Sequence, residues 1–473
     1  MKVLEIKVLK GPNYWSVRRT KLIQMKLDLE DLEQKPTNLI PGFRERLEKM
    51  FPTMIEHRCS EAVRGGFFMR VDEGTWMGHV IEHIALEIQT LAGMDTGFGR
   101  TRTPEGEQEG VYYVVFSYME EDAGVFAAKS AVRIAEALIA GTDYDLEADI
   151  QEMREIREDT RLGPSTGCIV EEAAKRGIPY IRLNKHSLVQ LGYGVNQKRI
   201  RATIASTTSN IAVDIACDKE ETKLLLEAAE IPVPRGTVIR TEEGMDAAIE
   251  KFGYPLVIKP IDGNHGKGNT TNIINREQAL VAFAAAKEYG RSVIIEKFIT
   301  GFDFRCLVIN NKFICAALRT PASVVGDGQH NIQWLIEETN KDPRRGFGHE
   351  KVLTQITIDQ FTQKMLDDAQ YTLETIPEKG ERVMLKPTAN LSTGGTSTDV
   401  TDEVHPANIF MFERIAKIIG LDICGIDIMV ADLRKPVAEN GGAILEVNAA
   451  PGFRMHIDPS EGLPRNVAEP VVD

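Results

Sequence analysis

The sequence predicts a multidomain α+β and α/β protein, with a smaller α+β domain over residues 1–160 and a larger domain over 161–473. Three observations carry that prediction. A chain of 473 residues is too long for one ordinary hydrophobic core. Its 42% hydrophobic and 27% charged content supplies ample apolar material for more than one. The texture also changes near residue 160, where "DYDLEADIQEMREIREDTR" reads as an exposed helix bridging two domains.

In the first part, "KVLEIKVLKG" alternates apolar and polar residues, as an edge strand does. "IPGFRERLEKMF" has helical spacing, and "GVYYVVFSYME" reads as a buried strand. The Ala-rich "AAKSAVRIAEALIAG" is a helix stopped by Gly141. Beyond 160, "YPLVIKP", "RSVIIEKFI", "FRCLVINNKFICAALR" and "GGAILEVN" read as mostly antiparallel strands between helices and Gly-rich turns. "NKDPRRGFGHEK" reads as a loop insertion, and the closing "GLPRNVAEPVVD" as a linker.

A formal charge of −14 argues against sequence-independent nucleic-acid binding, which needs basic surface. No apolar run approaches a membrane span, and "MKVLEIKVLKGPNYWS" lacks a signal-peptide core. The six cysteines are scattered without a CxxC pair, which suits reduced thiols and a cytoplasmic protein.

The second part carries the residue types that phosphoryl transfer needs. Cations and backbone N–H groups must neutralise phosphates, and oxygen ligands must hold Mg²⁺. "VIKP" puts Lys259 on a strand, and "DGNHGKGNT" follows with Gly266, Lys267 and Gly268. Such a loop brings backbone N–H groups close to phosphate without Cβ clashes, although the Walker A order is missing. In "VIIEKFITGFDFR", Glu296 ends a strand with Lys297, Phe298 and Ile299 behind it, and could line a purine pocket with Asp303 reaching a ribose; an ordinary strand and turn is the other reading. "CGIDIMVADL" and "GGAILEVNAAPG" put Asp427 on one strand and Glu446 and Asn448 on one face of the next, with a turn at 451–452 forming the hairpin. "NLSTGGTSTD" offers Ser392, Thr393, Ser397 and the N–H groups of Gly394 and Gly395 to a carboxylate or acyl phosphate, or is simply a polar turn. Arg305 and Arg319 lie on neighbouring strand segments and could bind phosphate or a substrate carboxylate, with plain surface arginines as the other reading; Arg319, before "TPASVVGDG", is the catalytic candidate and Arg305 the substrate-binding one.

In this order, "DKEETKLLLEAAEIPVPRG", "YPLVIKP", the Gly-rich loop, "IIEKFI", "GIDIMV" and "ILEVNAAPG" resemble the ATP-grasp family of carboxylate–amine ligases from about residue 200 to 455. The resemblance implies an ATP-grasp fold with a mobile lid near 220–300. By position Lys219 and Lys259 match that family's phosphate lysines, Glu296 to Ile299 its adenine hinge, and Asp427, Glu446 and Asn448 its Mg²⁺ ligands. "LGPSTGCIVEEAAKRGIPYIRLNKHSLVQLGYG", "LRTPASVVGDGQHNIQWLIEETNKDPRRG" and "LKPTANLSTGGTSTDVTDEVHP" are similar to cyanophycin synthetases, whose likeness covers essentially the whole chain. That resemblance implies ATP, aspartate and a cyanophycin polymer or primer as partners, and a homo-oligomer, a tetramer by family likeness. It also implies activation of the polymer's terminal carboxylate as an acyl phosphate before aspartate is added. The alternative is another ATP-grasp ligase making a dipeptide or glutathione-like product, with the N-terminal domain only a binding module. The family's C-terminal Mur-ligase-like module and its P-loop are absent from this sequence, so arginine addition is not expected of it.

One motif stands apart. "GHVIEHIALEIQ" places His79, Glu82 and His83 in an H-x-x-E-H pattern. On a helical wheel starting at Trp76, they fall near about 300°, 240° and 340°, flanking an apolar arc of about 0° to 140°. Two imidazoles at i and i+4 can share a Zn²⁺ ion, with the glutamate as general base. Cys59 is the first candidate for a third ligand, with Glu171 or Glu172 in reserve. The other reading is a partly exposed helix flank with solvated histidines. With the ligase resemblance, a metal site here implies a peptidase that cuts polymer and makes new chain ends.

Overall fold

Strand β1 (Lys2–Lys10), with no fully buried side chain, edges a four-stranded antiparallel sheet. The others are β2 (Lys21–Asp28), β3 (Gly99–Arg102) and β4 (Val111–Ser117), in the order β1-β2-β4-β3. The computed structural model describes residues 1–17, 21–106, 108–261, 268–346 and 351–473, which form two units, Met1–Arg161 and Leu162–Asp473. Five helices complete the first unit: α1 (Phe43–Met50), α2 (Gly66–Glu73), α3 (Met77–Leu91), α4 (Glu121–Ala140) and α5 (Leu146–Thr160). Small side chains such as Ala127 and Ala131 let α4 join the same core as Leu27, Phe43, Phe67, Ile84 and Phe116.

Two expectations are corrected here. The charged segment expected to bridge two domains is α5, capped by Asp145 accepting from the Ala148 N–H. Its Ile150 and Met153 are buried in the first unit's core, so α5 belongs to that core. The alternative reading of α3, a flank of solvated histidines, does not hold, because 12 of its 15 residues are buried, Glu82, His83 and Glu87 among them. The wheel accounts for one helix's apolar stripe and says nothing about what packs over the other side.

The second unit begins with α6 (Pro164–Lys175) and a small antiparallel sheet of β5 (Tyr180–Arg182), β6 (Leu188–Leu191), β7 (Lys198–Arg201) and β8 (Ile204–Ala205). After α7 (Asn210–Cys217) and α8 (Lys219–Ala228), a sheet ordered β11-β10-β12-β9 forms from β9 (Gly236–Ile239), β10 (Leu256–Pro260), β11 (Thr270–Ile273) and β12 (Val293–Lys297). Strand alternation splits its faces. Ile258 and Ile295 pack with Phe283 into a separate core against α9 (Glu242–Phe252) and α10 (Arg276–Lys287), which leaves Lys259 and Glu296 on the opposite face.

A five-stranded antiparallel sheet follows, ordered β19-β14-β13-β20-β21. Its hairpin β13 (Phe302–Ile309) and β14 (Lys312–Thr320) is continued in sequence by two short ladders. β15 (Ser323–Val325) pairs with β18 (Arg382–Met384), and β16 (Arg345–Gly346) with β17 (Leu353–Thr354). Then come β19 (Thr396–Asp399), β20 (Ile423–Val430) and β21 (Ala443–Asn448). The β20–β21 hairpin is closed by residues 431–442, not by the turn at 451–452, which lies beyond β21. The closing segment is no linker: Val467 and Ala468 are buried with Ile169, Val170 and Phe453, and Glu469–Val472 is helical. No helix among the described residues is long and apolar enough to cross a membrane.

Candidate active sites

In the first unit, α3 offers His79, Glu82 and His83 as i, i+3 and i+4 neighbours. Facing them is the segment 52–62. The Gly65 N–H donates to the Ile55 carbonyl at 2.7 Å, and the Phe67 N–H to the His57 carbonyl at 3.1 Å, pinning that segment to α2. A side chain at Gly66 would put its Cβ 2.1 Å from the Arg58 carbonyl oxygen, so the approach needs glycine. The result is that Cys59 Sγ lies 3.2 Å from His79 Nε2, and the ligand atoms of Cys59, His79 and His83 are all within 4.8 Å of one another. Glu171 and Glu172 lie on α6 in the second unit and are not in this group.

The chemistry of the donors suits zinc, which takes thiolate and imidazole ligands and keeps a fourth position open when it is catalytic. A cavity of about 730 Å³ opens on the group, lined also by Arg58, Arg70, Trp76, Arg100 and Tyr112. Burial, helped by the Arg70 charge, pulls the His79 pKa down to about 4, and burial drives His83 well below its ordinary value. Both imidazoles are therefore neutral, the form that ligates a metal. Burial pushes Glu82 up to about 7, against the opposing pull of a 2.7 Å hydrogen bond from the Thr101 hydroxyl. Gly99 of β3 lies over that carboxylate; a Cβ there would sit 2.2 Å from Glu82 Oε1.

Sequence reasoning missed the groups behind His83. His57 Nδ1 lies 2.8 Å from His83 Nδ1, and His57 Nε2 lies 2.7 Å from Glu87 Oε2. Thr53 donates its hydroxyl to the other Glu87 oxygen. The available signal was local: His57 stands two residues before Cys59, and Glu87 four after His83.

In the second unit, a cavity of about 190 Å³ collects Lys219, Lys223, Lys259, Glu296 and Glu446 from α8, β10, β12 and β21. Glu296 accepts from Lys259 at 2.5 Å and lies 3.5 Å from Lys223 Nζ. Burial lowers the Lys223 pKa, with Glu296 partly offsetting it. Lys223, one helical turn after Lys219, was not singled out from the sequence. Lys297, Phe298 and Ile299 are not among the cavity's lining residues; Lys297 Nζ donates to the carbonyls of Gly253 and Tyr254. Gly268 is described at φ +69, whereas Gly266 and Lys267 lie outside the described residues.

On the five-stranded sheet, register brings four charges together. Asp303 pairs across from Arg319, and Arg305 across from Asp427. Both Asp427 oxygens accept from Arg305, and Arg319 bridges Asp303 at 2.6 Å and Asp427 at 3.0 Å. Burial pushes Asp427 up, but the two guanidinium groups outweigh it and hold the carboxyl below its ordinary value. Asp303, expected at a ribose, is instead Arg319's ion-pair partner and does not line the cavity. Arg305 and Arg319, expected to meet substrate, have carboxylate partners within the protein. Glu446 is the register partner of Asp427 and Asn448 lies two residues on; the Asn448 Nδ2 is buried without a hydrogen-bond partner among the described residues. An unsatisfied N–H suits a phosphate oxygen, while the Asn448 Oδ1 and the Glu446 carboxylate are oxygen donors of the kind Mg²⁺ takes; both Asp427 oxygens are already taken by Arg305 and Arg319.

The "NLSTGGTSTD" turn needs correction. The Gly394 N–H donates to the Leu391 carbonyl and the Gly395 N–H to the Asn390 carbonyl, so neither is available to a substrate. Ser397 is 1% exposed, with its hydroxyl on the Met455 carbonyl at 3.4 Å. The Thr393 hydroxyl donates to the Asn390 carbonyl, which leaves Ser392 exposed at the turn's surface.

Comparison with known proteins follows the same division. Residues 24–140 match the cyanophycin synthase-like N-terminal domain, and residues 224–313 the ATP-grasp domain. A cyanophycin synthetase of Trichormus variabilis is 52% identical over 477 residues, covering 100% of this chain and 53% of that protein. One from Geminocystis herdmanii is 52% identical over 479 residues, covering 100% of this chain and 55% of that protein. The chain thus spans about half the length of these relatives. Among solved structures, a bifunctional glutathione synthetase from Pasteurella multocida superposes with a TM-score of 0.54 at 30% identity, covering 73% of this chain and 49% of that one.

Proposed function

This chain matches the cyanophycin synthetases along its whole length, joining a cyanophycin synthase-like N-terminal domain to an ATP-grasp domain, and on that premise we propose that it is an ATP-dependent carboxylate–amine ligase extending a cyanophycin polymer with aspartate. One observation carries the reading: Lys219, Lys223, Lys259, Glu296 and Glu446, far apart in sequence, line one cavity beside the Asp427–Arg305–Arg319 cluster's sheet. The lysines bind the ATP phosphates, and the β9–β12 sheet with its own core closes over the nucleotide as a lid. Glu446 and Asn448 would hold Mg²⁺, which neutralises phosphate charge when bound, and Asp427 would join them only by exchanging a guanidinium partner for the ion. The polymer's terminal carboxylate attacks the γ-phosphorus, releasing ADP and giving an acyl phosphate. The aspartate amine then attacks the acyl carbon, phosphate leaves, and the amine gives up its proton. Arg319, paired with Asp303 and Asp427, would stabilise developing charge only on exchanging one of those carboxylates for the substrate.

The test is ADP release and labelled aspartate incorporation with ATP and Mg²⁺, with and without an Asp-Arg primer. Turnover that needs the primer supports the polymer ligase. Turnover on free amino acids alone points instead to a dipeptide or glutathione-like product.

A second activity is proposed for the first unit on a separate observation, the convergence of Cys59, His79 and His83 beside a buried Glu82. Zinc held there would supply a Lewis acid and an acidified water. Glu82, titrating near neutrality, takes a proton from the attacking water and returns it to the leaving amine, cutting the polymer and making new ends. Incubating the chain with Asp-Arg polymer without ATP tests this. Shortening that is lost with a chelator and in Glu82→Gln supports it; intact polymer refutes it.

A further inference from the structure

Three ligand atoms account for Cys59, His79 and His83, but not for the ordered polar groups behind His83. Glu87 is 3% exposed and lies one helical turn from His83 on α3. Burial raises its pKa, but the His57 and Thr53 hydrogen bonds outweigh that and hold it below the ordinary value. An ionised carboxylate only accepts hydrogen bonds. Thr53 must therefore donate to one oxygen, and His57 Nε2–H to the other. His57 Nδ1 lies 2.8 Å from His83 Nδ1, so one proton is shared between them; a His83 that ligates through its other nitrogen carries that proton on Nδ1 and donates it to His57. His83 Nε2 is the nitrogen left bare. The Phe67 ring stacks on His83 at 4.0 Å and 19°, fixing the plane in which that lone pair points. His79 is arranged alike, with Nδ1 3.0 Å from the Thr75 hydroxyl and Nε2 toward Cys59.

We infer that Thr53, Glu87 and His57 form a one-directional hydrogen-bond relay that fixes the His83 tautomer and so selects Nε2 as its metal-binding atom. This deepens the metal-site reading above and rests on it. His57 and Glu87 are positioning residues, because both act through His83. A glutamine at 87 would offer an N–H as well as an oxygen to His57. The relay could then run in either direction, and in one of them the proton sits on His83 Nε2, where the metal belongs.

The experiment uses the full chain and two variants, Glu87→Gln and His57→Gln. The second keeps an amide near Glu87 but removes the acceptor facing His83. Zinc affinity is measured by competition with a chromophoric chelator, and the protonated nitrogen of His83 by ¹⁵N-histidine NMR of the metal-free chain. We expect the wild type to bind zinc with His83 protonated at Nδ1. Both variants should bind about 10- to 100-fold more weakly and show a mixed His83 tautomer. Wild-type affinity and an unchanged tautomer in both variants would overturn the relay. A wild type that binds no zinc would sink the metal reading instead, and the NMR of the same metal-free samples would still decide the relay. If Glu87→Gln does not fold, His57→Gln, on a partly exposed loop, decides alone.

Discussion

The two sites treat buried charge in opposite ways. In the second unit, Asp303, Arg305, Arg319 and Asp427 are mutually paired, and Lys259 and Lys223 face Glu296. In the first unit, burial keeps both histidines neutral and moves the Glu82 pKa to about 7. A paired site depends on every partner being present, because a lone buried ion is costly. A neutral site holds its reactivity in desolvation, and neutralising a residue there should cost function while sparing the fold.

The sharpest way to break that contrast is Glu82→Gln. Polymer hydrolysis should fall by about 10²- to 10⁴-fold, the usual range for a lost general base. Stability of the metal-free chain should move the other way. Glu82 titrates at about 7 when folded, against about 4.3 unfolded, so the folded state holds the extra proton. Its contribution is fully present below the unfolded value and is lost as pH rises through about 7, by about 4 kcal/mol. Glutamine carries no such loss. Urea unfolding at pH 5 and pH 8 should therefore show the variant gaining on the wild type as pH rises.

Arg319→Ala should show the opposite behaviour. It leaves Asp303 and Asp427 short of a cation in a buried cluster and should cost about 3–5 kcal/mol of second-unit stability by chemical denaturation. A cost below 1 kcal/mol would mean that water screens the cluster. Smaller again, Lys259→Met should weaken ATP binding by about 10- to 100-fold, measured by calorimetry, because one charged hydrogen bond to phosphate is lost. The smallest effect belongs to Thr101→Val. Removing the Thr101 hydrogen bond that favours the Glu82 carboxylate should move the acid limb of the hydrolysis profile to higher pH by less than about one unit.

The two regions also differed in how much their sequences disclosed. Glu446 and Asn448 stand two apart on one strand, so their shared face was readable from alternation alone. The pairing of Arg305 with Asp427 was not, because it depends on the register of strands more than a hundred residues apart. Free donors at Gly394 and Gly395 were expected because the string is polar and glycine-rich, but a tight turn consumes such N–H groups locally. On α3, the i, i+4 spacing disclosed the histidines, and the soft thiol pointed to Cys59. The burial of that flank came from segments outside the helix and had no local signature.

Gly99 gives the first site a vulnerability that its motif does not record. A single methyl on β3 would meet the Glu82 carboxylate and force it off the Thr101 hydroxyl, with Cys59, His79, Glu82 and His83 all still in the sequence. The proposed hydrolysis would therefore be lost through one substitution on a different strand, invisible to any search for H-x-x-E-H. The residue facing Glu82 is the better marker, and Gly99→Ala is the change that would make a ligase-only version of this chain while preserving all three ligands.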